Sequence, residues 1–134
     1  MIEERLNKIK EELNAFDDEF MKYSFLAELS AYVSPDQKDL ITDEHLYRGC
    51  QSQVWLRFRL EDGLFYMDAF SDTLIIRGVL YVMMELFNGL SPAEITRRKI
   101  DFLKECGMAQ HFNSTRTDGI GGIIDTIYEW CEHV

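Results

Sequence analysis

Apolar residues recur along this chain with two periods, and each change of period marks an element. Ile2, Leu6, Ile9 and Leu13 fall every three to four residues among charged neighbours, which predicts an amphipathic first helix. Asp17 or Asp18 can cap a second helix, with Phe20, Tyr23, Leu26, Ser30 and Val33 along one face and Ser34-Pro35 as its stop. Residues 35–47 are polar and aperiodic, so a loop is expected, closing in a short strand near 46–48. Over residues 51–60 the period drops to two. Val54, Leu56, Phe58 and Leu60 alternate with Trp55, Arg57 and Arg59. Glu61-Asp62-Gly63 signals a tight turn, and residues 64–70 return as the second strand of a hairpin.

Ser71-Asp72 then predicts the cap of a helix over residues 73–88, with Gly89 at its end. Leu74, Ile75, Ile76, Val79, Leu80, Val82, Met83, Met84, Leu86 and Phe87 make it apolar nearly all round, as befits a helix at the centre of a core. Ser91-Pro92-Ala93-Glu94 has the form of a capping box with proline at the first helical position. A further short helix is expected around 101–106, ending at Gly107. Residues 113–119 are rich in capping residues and predict a loop before a last helix reaching about Glu132. Few central strands flanked by helices predict an α+β fold: a small antiparallel β-sheet of about three strands, one face covered by the N- and C-terminal helices.

Composition narrows the picture without changing it. The chain has 134 residues, 46% of them apolar and 28% charged, and neither a repeat nor a Pro/Gly-rich linker divides it, so one domain over 1–134 is expected. A net charge of −10, with no basic patch, argues against nucleic acid and anionic membrane as partners. The longest apolar run, residues 79–84, is far too short to span a bilayer. Three dispersed cysteines and no leader-like apolar segment at Met1 predict a soluble protein of the reducing cytoplasm.

The candidate chemistry sits at Cys50. It follows Gly49 and precedes the polar neck Gln51-Ser52-Gln53, at the mouth of the alternating strand. A free cysteine is most often a small buried hydrophobe, but one placed at a loop–strand junction can be presented as a nucleophile. Cys106, beside Phe102 and Leu103, and Cys131, beside Trp130, read as packing residues. His45, His111 and His133 show no zinc-ligand spacing with the cysteines, so no metal is expected. Cys50, His111 and Asn113 could in principle form a thiol-hydrolase set, since such partners meet in space and not in sequence.

The run Gly49-Cys50-Gln51-Ser52-Gln53-Val54-Trp55 resembles the central motif of the SufE family, the sulfur acceptors of cysteine desulfurases. Ser71-Asp72 with Ile76 and Gly78, Ser91-Pro92 with Glu94-Ile95, and His111 with Arg116 and Gly119 resemble that family's later segments. The likeness runs from about residue 16 to the C-terminus. Ser114 and Thr115 depart from it, standing where proline and serine are common. It implies that Cys50 takes sulfur as a persulfide from a SufS-type or CsdA-type desulfurase, stimulates that enzyme, and passes the sulfur to a scaffold complex for iron–sulfur cluster assembly. Pyridoxal phosphate would belong to the partner, no cofactor would be bound here, and the chain would not itself be an enzyme. Gly49, Gln51, Ser52, Gln53 and His111 would support the loop or contact the partner. Asp72 reads most simply as a helix cap and Arg116 as a surface loop cation; the resemblance implies a similar supporting or docking role for both.

The family further implies that the resting thiol is turned inward. Cys50 is therefore expected to be largely buried, with Trp55, Tyr66 and Phe70 as candidates to shelter it. Two other readings are an IscU-type iron–sulfur scaffold, which needs several ligating cysteines, and a Cys/His hydrolase.

Overall fold

A computed structural model describes residues 1–108 and 112–134. The elements follow in the order α1 (Ile2–Asn14), α2 (Glu19–Leu29), β1 (Leu46–Tyr47), β2 (Val54–Glu61), β3 (Leu64–Ser71), α3 (Leu74–Phe87), α4 (Pro92–Arg97), α5 (Phe102–Glu105) and α6 (Ser114–Glu132), with short 3-10 turns at Ser30–Tyr32 and Asp43–His45. The fold is α+β, with one three-stranded antiparallel sheet in the order β1-β2-β3 and helices flanking it. Among the described residues no helix is long and apolar enough to cross a membrane.

The hairpin is set by its two-residue turn. Asp62 and Gly63 both take positive φ, 53° and 77°, which matches the right-handed twist of the strands they join. That turn fixes the register Val54↔Ser71 through Glu61↔Leu64. One face of the hairpin, with Val54, Phe65, Met67 and Ala69, belongs to the main core, whose centre is α3. Trp130 of α6 closes that face, its ring 5.8 Å from Phe58 and 5.7 Å from Phe65 in edge-on contact. The other face carries cross-strand pairs: Trp55 against Phe70, then Arg57 and Arg59 sharing the Asp68 carboxylate at 2.9 and 2.7 Å. The outer edge of β3 is also covered. Asn88 bonds Met67 through both ends of its amide, and Phe65 exchanges bonds with Gly89 and Leu90.

The first helix matches its sequence pattern, with Ile2, Leu6, Ile9 and Leu13 all buried. For α2 the start is as expected, Asp18 accepting from Phe20 N at 2.8 Å, but the inward face is rotated. Leu26, Ser30 and Val33 are buried, whereas Phe20 and Tyr23 are 72% and 38% exposed. The cause is a close crossing. The Leu26 carbonyl oxygen lies where a side chain on Gly78 would be, so α2 approaches α3 at backbone distance and turns Phe25, Leu26 and Leu29 inward.

Other boundaries also differ from the sequence expectation. The strand after Cys50 starts at Val54 rather than 51, leaving Gln51, Ser52 and Gln53 outside it. The helix α3 is preceded by Thr73, not capped by Ser71-Asp72, and Thr73 gives it no side-chain cap bond. Ser91 accepts from Glu94 N at 3.2 Å, but Glu94 spends its carboxylate on Ile2 N at 2.9 Å rather than completing the capping box. Finally, α6 begins at Ser114, with Asn113 accepting from Arg116 N at 2.9 Å, so residues 114–119 are helix and not loop.

Candidate functional site

Cys50 stands at the tip of the connection from β1 to β2, and that connection is held in two places. Its downstream end is tied to the junction between β3 and α3. Asp72 accepts from Gln53 N at 3.2 Å and returns its own amide to Gln53 O at 3.3 Å. Ser71, fully buried, donates to the same Gln53 oxygen at 2.8 Å and accepts from Thr73 N at 3.2 Å. Thr73 Oγ1 lies 2.9 Å from Ser52 Oγ and 3.2 Å from Asp72 Oδ1. Ser71-Asp72 thus carries the loop instead of capping α3. Arg77 completes the junction, bonding Ser71 O at 2.8 Å and covering the Phe70 ring at 4.3 Å.

The upstream end rests on α6. A β-carbon built on Gly119 would lie 2.5 Å from Cys50 Sγ, so the sulfur occupies the notch that this glycine leaves. One turn on, the Tyr47 hydroxyl fills the equivalent notch at Gly122, and the Tyr47 ring also occupies the side-chain position of Gly49. Thr126 lies four residues further on the same face and shares a side-chain hydrogen bond with Tyr47. The sheltering surface is therefore glycine-rich helix. Trp55 and Phe70 pack elsewhere, in a smaller cluster with Val33 and Leu40 on the opposite face of the sheet, and Tyr66 sits under Arg59.

Cys50 is half-buried rather than largely buried, packed at the margin of the main core. Burial raises its thiol above the ordinary cysteine range, which holds it protonated and quiet at neutral pH. Cys106 and Cys131 are 1% and 5% exposed, and burial pushes them up to about 12 and about 11. Gly49, Gln51 and Gln53 are exposed around Cys50, with Ser52 intermediate. Arg116 lies in the first turn of α6, three residues before the Cys50 notch, so it is a helix residue and not a loop cation. His111 lies outside the described residues. His45 pairs with Thr42 at 3.1 Å and His133 with Glu129 O at 2.7 Å. Among the described residues no group of three His, Cys, Asp or Glu side chains is placed to hold a metal ion.

This arrangement coincides with a known family. The sequence matches SufE, described as an Fe-S metabolism associated domain, over residues 7–131. The chain belongs to the SufE family. An uncharacterized SufE-like protein of Rhizobium meliloti is 32% identical over 119 residues, covering 84% of this chain and 85% of that one. The solution structure of a hypothetical protein from Thermus thermophilus superposes with a TM-score of 0.77 over 96% of this chain and 94% of its own, at 15% identity, and so shares the fold. Membership in SufE places the protein in iron–sulfur metabolism.

The sequence does not single out Tyr47, Gly122 or Thr126, yet Tyr47 packs directly on the SufE motif at Gly49, and Gly122 and Thr126 meet Tyr47. A signal was present: Gly119, Gly122 and Thr126 share one helical face at spacings of three and four residues.

Proposed function

We propose that this SufE-family protein accepts persulfide sulfur on Cys50 from a PLP-dependent, SufS-type or CsdA-type cysteine desulfurase, stimulates that enzyme, and hands the sulfur on for iron–sulfur cluster assembly. The observation that supports the reading most strongly is the contrast among the three cysteines. Two are buried in the core, and the third stands at a loop tip outside regular structure, anchored at its base and lodged against Gly119 at its tip.

In the transfer, the Cys50 thiol loses its proton and the thiolate attacks the outer sulfur of the donor's persulfide. The new bond joins the two sulfurs, the donor's internal sulfur–sulfur bond breaks, and the donor cysteine leaves as a thiolate that takes up a proton. No net oxidation occurs. The rate depends on thiolate fraction and access, both of which are restrained while burial holds the Cys50 proton. Leaving the notch for a partner's surface relieves both restraints. The clamp of Asp72 and Ser71 on Gln53 keeps the base of the loop in place while its tip moves.

The test is sulfide release by a SufS-type desulfurase supplied with free cysteine. Wild-type protein should accelerate turnover and Cys50→Ser should not, with its circular dichroism unchanged. Full stimulation by a folded Cys50→Ser protein would overturn the assignment.

A further inference from the structure

We infer that Tyr47 is a positioning residue for the Cys50 thiol, keying the cysteine loop to α6 through a hydroxyl-sized notch at Gly122. The inference rests on the carrier reading for its purpose but not for its geometry.

The geometry has three parts. Tyr47 ends β1, where it is paired with Val54 at the start of β2, so its backbone is fixed to the sheet. Its ring turns back across Gly49, where any side chain would collide with the phenol oxygen and with ring carbons at 2.5 and 2.7 Å. Its hydroxyl ends at Gly122. A β-carbon there would overlap the oxygen, while the next nearest atom, the ring carbon bearing it, would stand at an ordinary 3.5 Å. Thr126 donates to Gly122 O at 2.8 Å and shares a side-chain hydrogen bond with the phenol.

Tyr47 and Cys50 therefore occupy consecutive notches of one helix face, three residues apart at Gly122 and Gly119. Between them lie only Arg48 and Gly49, so a phenol anchored at Gly122 limits how far the thiol can stray from Gly119. Burial, then Cys50 and Asp125, raise the phenol above its usual range against the opposing hydrogen bond of Thr126, so it stays neutral. A tyrosine anchored in this way sets how readily the thiol leaves the helix.

The notch supplies a size-complementation test on the isolated protein, read as the rate at which iodoacetamide alkylates Cys50. Gly122→Ala should expel the phenol and speed alkylation several-fold. Tyr47→Phe loses one ordinary hydrogen bond and should speed it by about two- to ten-fold. The double variant decides the matter. Phenylalanine lacks the one atom that the new methyl group meets, so Gly122→Ala added to Tyr47→Phe should produce little further increase. Additive rates, or rates equal to wild type in both single variants when thermal unfolding shows them folded, would overturn the inference. A Gly122→Ala protein that does not fold leaves Tyr47→Phe and Tyr47→Leu to decide: both must label faster than wild type, and rates equal to wild type overturn the inference. Because no desulfurase is present, failure here is distinct from failure of the carrier reading, which is read from sulfur loading.

Discussion

Replacing Gly119 by alanine would put a methyl group into the space that the Cys50 sulfur now occupies. The added carbon would lie 2.5 Å from Sγ, against a normal separation of about 3.5–4.0 Å, so the sulfur must retreat by roughly 1 Å or more. The same carbon would stand 3.4 Å from Cys50 Cα and from Gly49 O, which is tight but tolerable. Forcing a methyl group into fixed packing typically costs about 1–3 kcal/mol, whereas alanine for glycine inside a helix gains about 0.5–1 kcal/mol. The half-buried thiol can turn toward water, so that motion relieves the overlap most cheaply and net stability should stay within about 1 kcal/mol of wild type. The displaced thiol is rehydrated, its pKa falls back toward the ordinary cysteine range, and its thiolate fraction at neutral pH rises. Alkylation followed across a pH series should therefore be faster for Gly119→Ala, with its midpoint at lower pH. Gly121→Ala is the control, because it lies in the same helix with nothing within 4 Å of the added carbon. It should label like wild type and be slightly more stable. If Gly119→Ala also labelled like wild type, with an unshifted midpoint, the lodging of Cys50 against α6 would be refuted.

The buried thiols of Cys106 and Cys131 hold their protons up to about 12 and about 11, far above the unfolded-chain value of 9.0. Their contribution to stability is thus complete below about pH 9 and is lost as pH rises through the folded values, each at a slope of roughly 1.4 kcal/mol per pH unit. Denaturant unfolding between pH 8 and pH 11 should become steadily easier, and Cys106→Ala should flatten that dependence at a cost of about 1 kcal/mol in packing; an equally steep dependence in that variant would contradict the assignment. Asp72→Ala should free the Gln53 amide, costing about 0.5–1.5 kcal/mol and speeding its hydrogen exchange; an amide that exchanges as before would remove the clamp. Gly78→Ala should lower the melting temperature sharply, because its methyl group meets the Leu26 carbonyl and α2 must part from α3, by well over the roughly 1–3 kcal/mol of ordinary overpacking. A melting temperature within a degree or two of wild type would show that the crossing is looser than described.

Elements whose sequence pattern and tertiary role agree were legible from the residues alone. In α1 the four periodic apolar positions are also the four buried ones, and Asp62-Gly63 dictates a turn that no neighbour alters. The sequence pattern departs from the fold where packing outweighs local preference. Residues 114–119 carry weak helix formers and turn residues, and Gly121 and Gly122 follow closely, yet the Asn113 cap and burial of Ile120, Ile123, Ile124 and Ile127 make them helix. The buried face of α2 is not readable from the sequence, because Phe20 and Tyr23 are as apolar and periodic there as Phe25 and Leu29, and only the backbone approach at Gly78 decides between them. Cys50 is identifiable from its motif, whereas Ser71-Asp72 looks like a cap for α3 in sequence and instead holds the cysteine loop. Asp72 hydrogen-bonds 19 residues back along the chain, to Gln53 just before β2, which no local rule anticipates. The glycine face of α6 was visible in sequence, but its meaning depends on which loop lies against it, and the fold supplies that.

The central claim is that Cys50 is the residue that carries sulfur. The most direct measurement is intact-protein and peptide mass spectrometry after the protein has been incubated with a SufS-type desulfurase and free cysteine, then quenched by alkylation. The account predicts one added sulfur atom, located on the Cys50 peptide and absent from Cys50→Ser. Added sulfur on Cys106 or Cys131 in the folded protein, or none on Cys50 while the desulfurase is demonstrably loaded, would contradict it.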